Sequence, residues 1–187
     1  MDFLTIFSLI YMSSIYKVMG MQLGGYDDEF LTWVGSIGSL ANGISRAVWG
    51  PMQDKKGFRA IYKVVIVIEL IYCSLMPYIV QTNRYLYMLW IFMGFLCLGA
   101  HFVIFPNCII EVFGLRSSVQ LSSLIYISRC ISALSAMFIS KALSKRYGDS
   151  SYSIMFFSSA VLVVISALLL IFVQDETPIK RSTQSPK

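Results

Sequence analysis

Six long apolar blocks constrain this chain more than any other feature of its sequence. They lie at about 3–20, 31–52, 60–81, 85–112, 118–141 and 152–173. Each block is close to the roughly 20 residues that a helix needs to cross a bilayer. Because only helices and closed barrels satisfy their backbone groups in lipid, these blocks predict an all-α integral membrane protein. We therefore expect one domain of six transmembrane helices over residues 1–173 and a polar tail over residues 174–187.

The composition supports this interpretation and argues against several classes of function. Charged residues make up 13% of the chain, about half the share in a soluble domain, and the basic residues lie mostly at the ends of the blocks. The net charge of +5 therefore indicates membrane topology and not a nucleic-acid partner. The expected partner of the surface is the lipid bilayer.

No motif in the sequence indicates enzymatic chemistry. The chain has one histidine, its four cysteines fall inside the blocks without metal-ligand spacing, and no phosphate-binding loop is present. We expect no enzyme activity, no cofactor and no metal.

The basic residues also predict an orientation. With six spans both termini lie on one side, and if that side is the cytoplasm it holds eight Lys and Arg residues against five outside. The positive-inside rule then favours cytoplasmic termini, which makes the tail cytoplasmic.

Two arginines lie inside apolar blocks. Arg46 is about six residues from the end of its block, roughly 9 Å deep, so its side chain could snorkel to the headgroups as a structural anchor. Arg129 is about twelve residues into its block, near the bilayer centre, where an arginine costs about 2.5–3.5 kcal/mol. Such a residue normally faces a water-filled cavity or an ion-pair partner, for which Glu69 is one possibility. The sequence leaves functional and structural roles open for both.

The surroundings of the two arginines are more polar than the rest of the blocks. Asn42 precedes Arg46 by one turn, Tyr126 precedes Arg129 by three residues, and the sole histidine shares a helical face with Phe105. A stripe of small residues along the second block predicts close helix packing; it consists of Gly35, Ser39, Gly43 and Ala47.

The stretch GPMQDKKGFR at 50–59 resembles the loop signature of the major facilitator superfamily. The lead-in NGISRAVWG at 42–50 is similar to helix eight of its oxalate/formate antiporter and monocarboxylate transporter branch. YISRCISAL is similar to that branch's helix eleven, and FPNCIIEVFG to the end of its helix ten. The resemblance extends over essentially the whole chain, which would correspond to the C-terminal half of a twelve-helix transporter. Such a half is a six-helix bundle built as a 3+3 inverted repeat.

The resemblance implies a set of functional residues. The expected substrate-binding residues of the central cavity are Arg46, Arg129, Asn42, Tyr126, His101 and Phe105. The expected gating loop consists of Gly50, Asp54, Lys55, Lys56, Gly57 and Arg59. Asn42 stands where monocarboxylate transporters carry an aspartate, which favours anion exchange or facilitated flux over proton coupling through that position.

We therefore expect a secondary transporter, or half of one, that moves small organic anions such as mono- or dicarboxylates by alternating access. Its further partner would be the missing N-terminal six-helix half or a second copy, since family members form the pathway between two halves. The alternative is a non-transporting, degenerate or truncated half that acts as a membrane scaffold or receptor.

Overall fold

The structure, a computed structural model, describes residues 1–172, which form five α-helices. These are α1 (Asp2–Gly24), α2 (Asp28–Lys56), α3 (Phe58–Ile79), α4 (Arg84–Tyr147) and α5 (Ser150–Ile171). The prediction of an all-helical chain is confirmed for this part of the chain. The polar tail predicted over 174–187 lies outside the described residues.

Five helices are described where six were predicted, because the fourth and fifth apolar blocks are joined in α4, which is kinked between them. α4 has 64 residues and would be about 96 Å long if straight, roughly three times the thickness of the hydrocarbon core. A single residue breaks it: Gly114 has φ 75° and ψ 169°, a conformation that glycine adopts without steric penalty. We call residues 84–113 the first arm of α4 and residues 115–147 its second arm.

Four of the five described helices are long and apolar enough to cross a membrane, namely α1, α3, α4 and α5. α2 is long enough, but its second half carries Asn42, Arg46 and Gln53, which reduce its hydropathy below that of the others. The described helices therefore fit a multi-pass membrane protein, in which α2 is the most polar helix of the bundle. The orientation of the termini stays a prediction.

The ends of α2 are set by local side-chain and backbone features. Asp27 caps its start, since its carboxylate accepts a hydrogen bond from the backbone N–H of Phe30 at 3.1 Å. The helix ends at Gly57, whose φ of 81° turns the chain directly into α3. Lys55 and Lys56 lie in the last turn, where positive charge complements the helix dipole.

The first arm of α4 packs closely against α2. Trp49 Nε1 donates a hydrogen bond to the Leu96 carbonyl oxygen at 3.3 Å, and Gln53 Nε2 donates one to the Ile104 carbonyl oxygen at 3.1 Å. Between these two anchors, Gly99 of α4 faces the backbone of α2 at Asn42. The absence of a side chain at Gly99 is therefore what lets the two helices approach.

A methyl group at Gly99 is expected to destabilise the bundle. Its Cβ would lie 2.6 Å from the carbonyl oxygen of Asn42, a backbone atom that can move only with the whole helix. We expect Gly99→Ala to lower the free energy of unfolding by about 1–3 kcal/mol. Gly43→Ala is the matched control, because no atom lies within 4 Å of the added Cβ, and it should be neutral or stabilise by up to about 1 kcal/mol. Unfolding in detergent measures both, and equal effects of the two variants would contradict this account of the contact.

Candidate functional site

Four ionisable side chains lie together inside the bundle. Arg129 comes from the second arm of α4, His101 from the first arm, Asp2 from α1 and Glu69 from α3. The residues are between 0% and 6% exposed. Burying charged groups is unfavourable unless they are paired, and the contacts of these four satisfy that requirement.

The guanidinium group of Arg129 is held along one edge. Nε donates to Asp2 Oδ2 at 2.8 Å, and Nη2 donates to Asp2 Oδ1 at 3.2 Å. Nη2 also donates to the backbone carbonyl oxygen of His101 at 2.7 Å. This two-point contact fixes the plane of the guanidinium and compensates its charge. The partner of Arg129 is thus Asp2 and not Glu69.

Glu69 instead contacts His101. The imidazole lies between two carboxylates, with Nδ1 3.0 Å from Asp2 Oδ1 and Nε2 3.4 Å from Glu69 Oε2. The other carboxylate oxygen of Glu69 accepts a hydrogen bond from Ser8 at 2.8 Å. Phe105, one turn after His101, stacks on its ring with centroids 5.7 Å apart. A continuous polar chain therefore connects α3, the first arm of α4, α1 and the second arm of α4.

Phe102 brings the two predicted arginines together. The guanidinium carbon of Arg46 lies 4.5 Å from the centre of the Phe102 ring, and that of Arg129 lies 4.8 Å from the same centre. The ring of Tyr126 is 5.3 Å from Arg129 on the side of the second arm. An aromatic face attracts cations, so this ring lets two positive groups from different helices share one neighbourhood.

Arg46 differs from Arg129 in its surroundings. Its side chain is exposed in this bundle, and Nε donates to Asn42 Oδ1 at 3.2 Å, which orients the guanidinium. Among the described residues, no carboxylate lies within ion-pair distance of Arg46. Its positive charge is therefore uncompensated within residues 1–172.

Two buried polar atoms on the second arm of α4 make no hydrogen bond within the described part of the chain. They are Nη1 of Arg129 and Oγ of Ser132, which lies three residues further along the same helix. Polar atoms that are this deeply buried are normally paired. One N–H edge of Arg129 and a hydroxyl three residues further along the helix therefore lack a polar partner among residues 1–172.

The structure thus brings together all six residues that the sequence predicts for substrate binding. Contacts run from Asn42 to Arg46, across Phe102 to Arg129, and from Arg129 to Tyr126 and His101. Phe105 joins this set through its ring contact with His101.

The residues predicted for gating and for helix packing lie elsewhere. Gly50 is buried near Val103 of α4, and the other gating residues lie around the α2–α3 turn. Of the packing stripe, Gly35 is buried against Tyr16. The other three members, Ser39, Gly43 and Ala47, are exposed in this bundle.

Sequence reasoning missed Asp2, Glu69 and Phe102 as parts of this site. Asp2 precedes the first apolar block and gives no sign of lying in the interior, and Phe102 is one of 13 phenylalanines. Glu69 had a usable signal, since a lone carboxylate inside an apolar block is itself a candidate functional group.

Among residues 1–172, no cluster of His, Cys, Asp and Glu has a metal-binding arrangement.

Comparison with known proteins places this bundle in a family. The model of the Major Facilitator Superfamily matches residues 2–187, which is nearly the whole chain. The chain belongs to the Major Facilitator Superfamily. A curated protein of similar sequence is the apicoplast pyruvate carrier 1 of Toxoplasma gondii, which is 26% identical to this chain over 140 residues. The match covers 75% of this chain, and the chain spans about a quarter (26%) of that carrier's length.

Membership of the Major Facilitator Superfamily agrees with the described helices. Both the family and the related carrier are membrane transport proteins, which favours a transporter over an enzyme. The finer assignment to the oxalate/formate and monocarboxylate branch stays a proposal.

Proposed function

We propose that this chain forms half of a secondary transporter that moves small organic anions by alternating access, with monocarboxylates as its main substrates. The observation that carries the proposal is the shared Phe102 ring. Two guanidinium groups from different helices converge on this ring, and one of them has no counter-charge among the described residues. Arginine suits this role because its planar fork matches a carboxylate.

The charges at the ring favour an anion with a single negative charge. Asp2 compensates Arg129, so among residues 1–172 Arg46 contributes the one unpaired positive charge at the ring. A monocarboxylate would neutralise Arg46 and leave the site without excess charge. A dicarboxylate would bring a second negative charge close to Asp2. The related pyruvate carrier supports this choice, since its named substrate is a monocarboxylate.

The exposed position of Arg46 supports a second bundle as partner. The face of α2 that carries Arg46 also carries Gly43 and Ala47, both exposed and small. A partner bundle, either a complementary six-helix half or a second copy, could approach this face closely and enclose the anion. Rocking of the two bundles against each other would then expose the site to each side in turn.

One observation favours the alternative, a scaffold or receptor that does not transport. The contact of Asp2 with Arg129 already provides an internal carboxylate, as a purely structural arginine requires. In that case the site would be stable without any anion. Transport measurements separate the two functions.

Counterflow into proteoliposomes tests the proposal. The chain is reconstituted alone and together with the N-terminal half of a related family member, and labelled acetate, pyruvate or malonate is supplied. We expect exchange of the two monocarboxylates in the paired preparation and at least a tenfold lower rate for malonate. No exchange of any carboxylate by the paired preparation would contradict transport, and faster exchange of malonate would contradict the charge argument.

A further inference from the structure

A groove with apolar walls lies between α3 and α5, and we call it the α3–α5 groove. Its volume is about 300 Å³. Ile66 and Leu170 line it and are buried, at 4% and 3% exposed, whereas Val67 and Ile171 line it and are 57% and 64% exposed. Ala167 completes the wall on α5. These five side chains are all hydrocarbon, so the groove suits an apolar occupant.

The surface around the groove is suited to contact with lipid. Both α3 and α5 are long and apolar enough to cross a membrane. Large apolar side chains next to the groove are between 43% and 55% exposed, namely Val64, Ile71, Leu75 and Leu168. A contiguous exposed apolar surface of this kind marks a membrane or protein contact. The groove therefore opens on a face of the bundle that the hydrocarbon core of a bilayer would cover.

The two helices that form the groove are joined by a buried hydrogen bond. The hydroxyl groups of Tyr62 on α3 and Ser166 on α5 are 3.1 Å apart, and both residues are 0% exposed. This contact fixes the spacing of the two helices beside the groove. The groove is thus already formed before any occupant enters it.

One end of the groove is basic. Arg59 and Lys63 lie one turn apart on α3 and both line the cavity. Ile66 and Val67 follow on the same side of the helix, so this wall extends about 12 Å from Arg59 to Val67. Because α3 begins at Phe58, both cations lie in its first two turns, where long basic side chains reach the membrane surface.

The positive charge at this end has no ion-pair partner within residues 1–172. Neither Arg59 nor Lys63 forms a salt bridge there, and Nε of Arg59 is buried without a hydrogen bond in that range. α3 also begins without a side-chain cap and without an acidic residue in its first turn. The positive end of its helix dipole therefore adds to the two side-chain charges.

We propose that the α3–α5 groove binds one anionic phospholipid, with the phosphate at Arg59 and Lys63 and one acyl chain along the apolar walls. Charge complementarity identifies this occupant, because a phospholipid carries a negative group and a hydrocarbon chain in the same order from the membrane surface inward. The arginine fork matches a phosphate, and the lysine adds a second positive charge. This end of α3 lies on the predicted cytoplasmic side, where anionic lipids are enriched. The proposal does not depend on the proposed transport function.

Two other occupants match less of the groove. A free phosphate or another small anion would contact the cations and leave the apolar walls unfilled. The chain's own tail follows Ile171, which lines the groove, and it contains Asp175 and Glu176. The tail sequence QDET at 174–177 is polar, whereas the walls are hydrocarbon. An anionic lipid matches both the charge and the walls.

Native mass spectrometry of the 187-residue chain in detergent tests the headgroup contact. The probes are dioleoyl phosphatidylglycerol and dioleoyl phosphatidylcholine, which have the same acyl chains and differ in net charge. We expect at least about fivefold higher affinity for phosphatidylglycerol, and Lys63→Gln should lower that affinity about fivefold. Lys56→Gln is the matched control, because it removes the same charge from the same end of the bundle but does not line the groove. It should change the affinity less than about twofold.

Two results of this measurement would overturn the proposal. One is equal affinity of the unmodified chain for the two lipids. The other is an equal loss in Lys63→Gln and Lys56→Gln, which would indicate general attraction to a basic surface and not a site.

The acyl-chain contact is tested by filling the groove. Ala167→Phe places a ring in the groove and keeps both cations, so it should lower the affinity for phosphatidylglycerol about fivefold or more. Val164→Phe is the matched control, since Val164 is exposed on the same helix outside the groove. Unchanged affinity in Ala167→Phe would overturn the proposal. The comparison of the two lipids on the unmodified chain stands even if Ala167→Phe fails to fold.

The two other occupants are tested with the same assay. Glycerol phosphate, which has the charge without the chain, should not displace phosphatidylglycerol at equal concentration. Displacement would identify a simple anion site and overturn the lipid. Asp175→Asn combined with Glu176→Gln should change the affinity less than about twofold. Binding of phosphatidylglycerol only in this double variant would assign the groove to the tail and also overturn the proposal.

Discussion

Replacing Arg46 by glutamine is expected to weaken carboxylate binding about 10- to 100-fold, the largest functional effect of any single change in this chain. Hydrogen bonds to charged groups contribute about 1.5–3 kcal/mol each, and about 1.4 kcal/mol corresponds to a factor of ten in affinity. Arg46 also supplies the only positive charge at the Phe102 ring without a counter-charge among the described residues. Competition with a labelled monocarboxylate, measured on reconstituted protein, gives the change in affinity.

Arg84→Gln is the control for this variant. Arg84 also stacks on an aromatic ring, that of Phe30 at 5.0 Å, but it lies at the start of α4, outside the site. Its replacement should leave the affinity unchanged. Arg46→Lys should lie between the two variants, since it keeps the charge and loses the planar fork that Asn42 orients. Equal affinities for Arg46→Gln and the unmodified protein would show that Arg46 is only a structural anchor.

The Asp2–Arg129 pair should contribute most among the ion pairs to stability. Removal of one partner leaves the other as an uncompensated buried charge, for which the cost is about 3–5 kcal/mol. Asp2→Asn and Arg129→Gln are therefore each expected to lower the free energy of unfolding by about that amount. The double variant should lose clearly less than the sum of the two, because neither charge remains.

The exposed Lys17–Asp28 pair is the control for this double-mutant cycle. Its atoms are as close as those of the buried pair, at 2.8 Å, but the side chains are 38% and 67% exposed. Its coupling energy should be about 0–1 kcal/mol. Urea unfolding in detergent gives all the values, and additive effects of Asp2→Asn and Arg129→Gln would contradict a direct pair in the folded protein.

The sequence was sufficient to predict the helical architecture, but not that the fourth and fifth blocks would be joined with a single non-helical residue between them. Apolar blocks of about 20 residues determine where helices must lie, and helices cover each of those blocks within the described range. The boundary between the fourth and fifth blocks is different, because residues 113–117 contain no proline and only one glycine. Helical hydrogen bonding continues on both sides of Gly114, so the expected loop is reduced to one residue in a non-helical conformation.

The site could be predicted in part for a physical reason. Arginine inside an apolar block is costly enough to mark Arg46 and Arg129 without any knowledge of their contacts. Asp2 and Phe102 carry no comparable signal, since a phenylalanine is ordinary in a membrane helix and an aspartate at a block's edge is expected in water. Their roles depend on which helices are neighbours, and the periodicity of one helix contains no information about that.

The most direct test of the anion site is a distance measurement in the reconstituted protein by solid-state nuclear magnetic resonance. Acetate labelled with carbon-13 at the carboxylate is bound to protein labelled with nitrogen-15 in its arginines. We predict dipolar coupling between the carboxylate carbon and guanidinium nitrogens that is lost in Arg46→Gln and retained in Arg84→Gln. Bound acetate without this coupling, or coupling that persists in Arg46→Gln, would contradict an anion site built around Arg46 and the Phe102 ring.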